Sequence, residues 1–439
     1  MLYLKKKDIS ERSFSMKKYD IIVAGGGFAG AAAAISAGRL GKKVLLFDKS
    51  NCMGGAACNC LVFPFMPYST KIDGKKKDLS AGIFAEIIDR MNDIRLKTGE
   101  TRHMEGRSAF SEEHLKLVLN RMAQEAGVEL LYHAFLSEVK TNAGRIESVS
   151  VATKSGVTEL FADMFIDATG DADLAYLSGC PYHLGRENDN LCQPMTLCFR
   201  VANVDMEKFI EEKPKINELY KKLKAEGKIR NPREDVLVFT NLVQKNILHF
   251  NTTRIVKLNP TDPFDVTKAE IEAREQVFEI YLLIKNNFEC FKNAELLSTA
   301  ADIGVRESRM IDGLHLLTGK ELVDCAKFED SIACGNYDID IHSPDGAGTS
   351  HHYFKEGTYY EIPYRSLVPQ KIDNLLVAGR CISADHEAQA SVRIMPIVCC
   401  LGQAAGTAAA VAHKNGTGAK DADISQIQKI LIENGAVIH

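Results

Sequence analysis

The sequence predicts an α/β protein built on a parallel sheet, and three observations carry that prediction. A short apolar run, Tyr19–Ala24 (YDIIVA), is followed at once by three glycines and a small-residue helix. A second apolar run, Lys43–Phe47 (KVLLF), comes next and completes the start of a βαβ unit. The same pattern returns at Met164–Ala168 (MFIDA) and at Asn374–Ala378 (NLLVA). Strands buried on both faces read as continuous apolar runs rather than alternating ones.

The first helix runs from Phe28 to about Leu40 and ends at Gly41. Ser111–Gly127 is a second helix, because Leu115, Val118, Leu119, Met122 and Ala126 recur at helical spacing. Val128–Tyr132 reads as a strand. Glu138–Phe161 reads as a β-meander with turns at Asn142-Ala143-Gly144 and Lys154-Ser155-Gly156. Met164–Ala168 is then a further strand, closed by Thr169-Gly170-Asp171. From about Cys192 to Pro363 strand-like pieces (Thr196–Val201, Ile247–Thr252) mix with polar helices. Thr267 precedes Glu270 by three, the spacing of a capping box. After Asn374–Ala378, Pro396 opens a Gly- and Ala-rich helix to about Ala412, since proline at the first helical position lacks a donor the helix does not need. No internal repeat or low-complexity linker interrupts the chain.

At 439 residues the chain is long enough for two or three subdomains. Hydrophobic residues make up 45% and charged residues 26%, which excludes a disordered or fibrous chain. The formal net charge of −4 has no basic stripe behind it, so nucleic acid is not the expected partner. No run of about 20 uninterrupted apolar residues predicts a membrane span. Residues 1–16 read as an extension before the first strand, and Met16 is a candidate start. That extension lacks the apolar core of a secretory leader, so a cytoplasmic location is expected. The 12 cysteines contain no CxxC pair and read as reduced thiols. The 12 histidines show no ligand spacing, so no metal is expected.

Gly25, Gly27 and Gly30 form GxGxxG between a strand and a helix. Gly25 permits the turn, Gly27 leaves room for a pyrophosphate, and Gly30 lets helix and strand approach. The helix N-terminus then offers free N–H groups and a positive dipole end to the phosphates. Asp48 closes the second strand, where a carboxylate can accept both ribose hydroxyls. This motif alone serves FAD and NAD equally.

Further segments separate the two. Met53-Gly54-Gly55-Ala56 follows Asp48, Ile166–Asp171 reads IDATGD, and Leu376–Arg380 reads LVAGR. This arrangement resembles flavoproteins of the glutathione-reductase structural type. Gln193–Arg200 (QPMTLCFR), Phe250–Arg254 (FNTTR), Gly304–Arg309 (GVRESR), Ile362–Pro369 (IPYRSLVP) and Ser391–Gly406 (SVRIMPIVCCLGQAAG) extend the likeness. With them the chain resembles, from Tyr19 to Ala412, the FAD-dependent oxidoreductases labelled fumarate-reductase-like or xanthan-lyase-like.

The resemblance implies noncovalent FAD in a Rossmann-like domain split in sequence, residues 17–190 and 362–439, around an α+β substrate domain at 191–361. It implies FAD contacts from Gly25, Gly27, Phe28, Ala29, Gly30, Asp48, Lys49, Gly54, Gly55 and Ala56. It implies others from Leu136, Ala168, Thr169, Gly170, Asp171, Gly379, Arg380, Ile397 and Val398. The Pro396 helix would point its positive end at the flavin edge that gains charge on reduction. Arg380 departs from the acidic residue many related flavoproteins carry there, and reads equally as surface charge or as a phosphate contact.

A flavin enzyme must also hold substrate and move a proton. His386, in the loop after the last strand, suits acid–base work near neutral pH, or a purely structural hydrogen bond. Arg393 and Arg254 suit an anionic substrate. Arg306, Glu307 and Arg309 read as an internal ion-pair network. Cys58 and Cys60 lie near where disulfide reductases keep a CxxxxC pair, but their spacing is CxC. Cys52 and Cys58 are also wrongly spaced, so packing is the preferred reading, as it is for Cys399-Cys400. The mid-chain cluster Gly346-Ala347-Gly348 lacks a strand before it and a helix after it, so no dedicated NAD(P)H domain is expected. The favoured function is hydride transfer to or from a small organic substrate, by dehydrogenation or carbon–carbon double-bond reduction. A dithiol–disulfide reductase and a non-catalytic electron-transfer or sensor flavoprotein are the alternatives, and oligomeric state is left open.

Overall fold

The protein is described here by a computed structural model covering residues 18–100, 108–240 and 244–439. The N-terminal extension and Met16 lie outside the described residues. The opening βαβ unit comprises β1 (Lys18–Ala24), α1 (Phe28–Arg39) and β2 (Val44–Phe47), with β3 at Glu129–Leu131. Three longer strands follow: β4 (Phe135–Asn142), β5 (Arg145–Thr153) and β6 (Gly156–Asp167). Near the C-terminus come β7 (Leu375–Val377), α2 (His386–Val392) and α3 (Met395–Asn415).

These seven strands form one sheet in the order β3-β2-β1-β6-β5-β4, with β7 paired to β6. The β1–β2, β2–β3, β1–β6 and β6–β7 pairings are parallel. The chain is therefore a mixed α/β fold on a parallel sheet, and a strand from its C-terminal part completes that sheet.

The meander and the MFIDA strand are not two elements, as the sequence reading had them. Strand β6 runs through both and changes partners along its length. Residues Gly156–Leu160 pair antiparallel with β5, and Phe161–Asp167 pair parallel with β1. A polar beginning and an apolar end follow from that change, because only the second half is covered on both faces.

Helices α1 and α3 pack on one face of the sheet. Helix α3 is apolar and long enough to suit a membrane span, but its apolar window is wholly buried within the protein. It is a core helix.

A four-stranded antiparallel sheet forms a separate layer, ordered Val238–Phe239, Leu248–Phe250, Phe199–Ala202, Glu295–Thr299. Its core includes Leu197, Phe199, Tyr220, Phe250 and Ile280, and Phe199 stacks on Phe250 at 4.6 Å. The helix Pro263–Asn287 covers it. Thr267 does not cap that helix. Asp262 does, accepting from the N–H groups of Phe264 and Asp265, with Pro263 next to it. Thr267 lies one turn inside, its hydroxyl donating to the Pro263 carbonyl at 2.7 Å. A capping box does occur at Thr318 and Glu321, starting the helix Gly319–Val323.

Candidate functional site

The carboxyl ends of β1, β2, β6 and β7 converge, and each glycine there answers a steric demand. A Cβ on Gly25 would stand 2.4 Å from the Ala168 carbonyl oxygen, and one on Gly30 would stand 1.8 Å from the Gly25 oxygen. Gly27 differs: among the described residues nothing lies within 4 Å of its added Cβ. As the N-cap of α1 it has no side chain to occupy the free N–H groups of the first turn. The result is an open cradle facing a helix N-terminus, the geometry a pyrophosphate requires.

A second glycine turn lies against the first. Gly54 N–H donates to the Gly26 carbonyl at 2.8 Å, and a Cβ on Gly55 would come within 2.8 Å of Gly27 Cα. Asp48 accepts from Gly26 N–H at 2.5 Å and from Ser50 N–H at 2.7 Å, which fixes its carboxylate at the end of β2. A cavity of about 490 Å³ opens beside it, lined by Gly25, Asp48, Lys49, Leu136, Thr169 and Arg309 among others. Phe28, Ala29 and Ala56 sit in the first turns of the helices that the two glycine loops lead into.

From β6, Asp167 is fully buried and accepts from Thr169 N–H, Thr169 hydroxyl and Ala175 N–H. Burial pushes it up to about 6, against the pull of those donors. The turn it anchors carries Ala168, Thr169, Gly170 and Asp171. Gly379 (φ +109°) and Arg380 follow β7. Arg380 is half-buried and paired: it donates to Asp171 at 2.5 Å and packs against Gly170. Burial works against that ion pair, yet Arg380 and Ser308 still hold Asp171 below the usual carboxylate range. Ile397 and Val398 occupy the first turn of α3. The donor set and the empty space at Gly27 fit a dinucleotide.

The residues expected to act on substrate come from two places. His386 is not in a loop; it is the first residue of α2, which Asp385 caps by accepting from Ala388 N–H. Its Nδ1 contacts Glu307 Oε1 at 2.7 Å, and the other Glu307 oxygen accepts from Gln193 N–H at 2.8 Å. Glu307 is fully buried. A carboxylate there selects the tautomer with the proton on Nδ1, so Nε2 is a base. Arg306, Glu307 and Arg309 do not form one ion-pair network. Arg306 donates to the Pro194 carbonyl and the Thr196 hydroxyl, Glu307 holds His386, and Arg309 pairs with Asp173 at 2.8 Å. Adjacent residues on an extended segment point to different neighbours.

Arg393 caps the end of α2 and approaches Asp340, Nη2 to Oδ2, at 3.5 Å. Among the described residues its buried Nε has no hydrogen-bond partner, and neither has Asp340 Oδ1. Arg254 is only 2% exposed. It donates to the carbonyls of Gly346, Ala347 and Gly348 and to His342 Nδ1. The mid-chain glycine cluster is therefore a receptor for this guanidinium. Because Arg254 donates to Nδ1, the His342 proton sits on Nε2, 3.3 Å from Asp340 Oδ2. Burial, with Arg306 adding to it, brings His342 down to about 3, so the ring is neutral. Burial opposes ionisation of Asp340, but His342, Arg393 and Arg306 hold it far below the carboxylate range.

His342 and Asp340 were missed in the sequence reading. They lie on the strand Ile339–His342, where a separation of two puts both on one face. Arg306 is brought down to about 9 by burial and by the charges of Arg393 and Arg233.

The cysteines divide. Cys58 Sγ points to the Glu112 carbonyl and Cys60 Sγ to the Ile303 carbonyl, so these two are not a pair. Cys399 and Cys400 are buried in α3.

A family model described as FAD dependent oxidoreductase matches residues 20–431. The chain belongs to that family. It is an FAD-dependent enzyme, and the open cradle at Gly25–Gly30 has the shape and donors that a pyrophosphate fits. Over 195 residues it is 31% identical to the tRNA uridine 5-carboxymethylaminomethyl modification enzyme MnmG of Streptococcus pneumoniae (strain Hungary19A-6). That match covers 40% of this chain and 29% of the relative. The MnmG of Streptococcus sanguinis (strain SK36) is 31% identical over 185 residues, 38% of this chain and 27% of the relative. The matches thus span less than a third of these relatives' length. Among solved structures, p-nitrophenol 4-monooxygenase PnpA from Pseudomonas putida DLL-E4 is similar with TM-score 0.49 and 10% identity, over 95% of this chain and 85% of that one. A geranylgeranyl bacteriochlorophyll reductase-like protein from Thermoplasma acidophilum has TM-score 0.45 and 14% identity, over 96% and 85%.

Proposed function

We propose that this enzyme transfers a hydride between FAD and a small organic anion, by dehydrogenation or by reduction of a carbon–carbon double bond. FAD, when bound, accepts or donates the hydride. In this reading residues 17–190 and 362–439 form a split cofactor domain of the glutathione-reductase type, and 191–361 form the substrate domain.

The observation that carries the proposal is the charge imbalance at Arg306. The cations Arg393 and Arg233 act against its charge while Asp340 favours it, and among the described residues the buried Arg393 Nε has no acceptor. An anionic group bound there would supply the missing acceptor and relieve the repulsion. Arg393 and Arg306 would hold the substrate carboxylate. Arg254 and Asp340 would orient His342 beside it, while burial and Arg306 keep the ring neutral. His386, with Glu307 fixing its tautomer, would take or return the proton through Nε2.

The test is anaerobic. Hydroxy acids and saturated dicarboxylates are mixed with the oxidised enzyme, and unsaturated carboxylates with the chemically reduced one, and the flavin band is followed. Carboxylates that change the flavin in wild type should need much higher concentrations in Arg393→Ala. Equal reactivity of neutral analogues, or an unchanged concentration dependence in that variant, would overturn the anion reading. The partial match to the tRNA-modifying enzymes favours a second reading, a nucleic-acid substrate. Saturable tRNA binding by the holoenzyme at physiological salt would favour it, although the net charge of −4 does not.

A further inference from the structure

The helix Pro263–Asn287 is apolar on two faces, and the fold uses only one of them. Ala269, Ala273, Val277, Ile280 and Ile284 are buried in the core over the four-stranded sheet. The other face carries Phe264, Ile271, Phe278 and Leu282, which are 84%, 62%, 53% and 40% exposed. The first three recur every seven residues, so they lie along one line of the helix. With Leu282 they make a stripe about 27 Å long, at 1.5 Å per residue. Large apolar side chains scattered singly on a surface are ordinary. A continuous stripe on a helix whose opposite face already fills a core marks a place where something docks.

The charges bordering the stripe suit a copy of the same helix. Lys268 and Glu275 are exposed and seven residues apart, so both border Ile271 on one flank, each toward a different end. Among the described residues neither has an ion pair or a hydrogen bond from its side chain. Their neighbours are engaged: Arg274 pairs with Glu270 at 2.8 Å, and Glu272 accepts from Gln276 at 3.3 Å. The opposite flank is bordered by the edge strand Glu295–Thr299. Tyr281 and Lys285 donate to the Ala294 carbonyl at 3.1 and 2.5 Å, and Glu270 accepts from Ile303 N–H at 2.6 Å. Leu297, on that strand, is exposed as well. The acidic residues Glu272 and Glu275 do not suit an anionic lipid surface, which selects a border of Lys and Arg.

We propose that this face is a self-complementary interface on which a second copy of the chain docks, helix against helix and antiparallel, to form a two-fold dimer. A two-fold axis perpendicular to the helix near Ile271 exchanges the ends of the stripe and keeps each flank on its own side. Lys268 of each copy then meets Glu275 of the other, which makes two opposite-charge pairs. Ile271 meets Ile271 at the axis, and Phe264 comes opposite Phe278 on either side of it. A parallel pair would exchange the flanks and part Lys268 from Glu275. The interface requires nothing at the arginine cluster, so it stands apart from the reading above.

The experiment measures the mass of the holoenzyme by sedimentation velocity from low to high micromolar concentration. Wild type should be a dimer. Ile271→Glu, which places two carboxylates at the axis, should raise the dissociation constant about 100-fold or more. Glu275→Lys should raise it about tenfold, and Lys268→Glu with Glu275→Lys should restore the dimer, because the pairs are re-formed with their signs exchanged. All of these side chains are exposed, so each variant should keep the flavin content of wild type. In wild type, which needs no variant to fold, a carbodiimide should join Lys268 to Glu275. Mixing unlabelled and nitrogen-15-labelled enzyme should show that this link runs between copies. A monomeric wild type, a dimer that Ile271→Glu leaves intact, or a charge exchange that fails to restore the dimer would overturn the proposal. So would a wild-type monomer that binds phosphatidylglycerol vesicles through this helix.

Discussion

Gly27 and Gly30 are three residues apart in one motif, yet the structure assigns them opposite sensitivities. Gly27 has φ −63°, and nothing lies within 4 Å of an added Cβ. Gly27→Ala therefore introduces neither backbone strain nor a clash in the apoprotein. Its stability should change by no more than about 0.5–1 kcal/mol, and a gain is possible because the unfolded chain is restricted. The methyl group would instead occupy the phosphate cradle. Displacing one charge-assisted hydrogen bond costs about 1.5–3 kcal/mol, so FAD affinity should fall about 10- to 150-fold. Gly30→Ala is the reverse case. Its Cβ would stand 1.8 Å from the Gly25 carbonyl oxygen, with backbone on both sides of the contact. Helix α1 must move off β1, at a cost of about 1–3 kcal/mol or more. The assay pairs thermal melts of both apoproteins with fluorescence titration of FAD into each. A Gly27→Ala apoprotein that melts well below wild type while binding FAD normally would refute the assignment of open space at Gly27 to the cofactor.

Three further outcomes follow from the geometry. Glu307→Gln should retain FAD but slow flavin reduction about 10- to 100-fold, because an amide no longer selects the His386 tautomer; an unchanged rate in stopped-flow mixing would remove His386 from proton transfer. Arg254→Met should strip the donor from three backbone carbonyls and from His342, at a cost on the order of 3 kcal/mol in denaturant unfolding; a variant as stable as wild type would contradict the anchoring role given to Arg254. Asp167 is raised to about 6 by burial, so the folded state binds its proton more tightly than the unfolded one, and apoprotein stability should rise as pH falls from neutral through that value and decline as pH rises through it; an Asp167→Asn protein with the same pH slope would refute that account.

The sheet and its cradle were legible because their demands are local. A glycine that must pass a carbonyl, a strand buried on both faces and a proline at a helix start each leave a mark within a few residues. Failures arose where two local signals competed or where partners were distant. Thr267 and Glu270 satisfy a capping-box pattern, but Asp262 followed by Pro263 is an equally local start one turn earlier, and it wins. Helix α2 was read as a loop because it is only seven residues long, too short for periodicity to register. Its Asp385 cap was the available signal. The tautomer of His342 depends on Arg254, and that of His386 on Glu307; both are non-local contacts that no spacing encodes.

Helices α1 and α3 fix the glycine cradle relative to Arg393, which precedes α3. A Cβ on Gly402 would stand 2.0 Å from the Ala29 carbonyl oxygen, and one on Gly406 would stand 2.1 Å from that of Ala33. Both pairs are four residues apart, so backbone meets backbone along one turn of each helix. Ala29 lies in the first turn of α1, beside the phosphate cradle. Gly402 lies two turns into α3, whose first residue follows Arg393 by two positions. Contact this close leaves no side chain to compress and little freedom to slide. The N-terminus of α1 and the start of α3 are consequently fixed relative to each other before any ligand binds. Hydride transfer demands that kind of preorganisation, since cofactor and substrate must meet within a few tenths of an ångström of the productive geometry. A glycine stripe that looks like a packing detail thus fixes the distance between the Gly25–Gly30 cradle and Arg393.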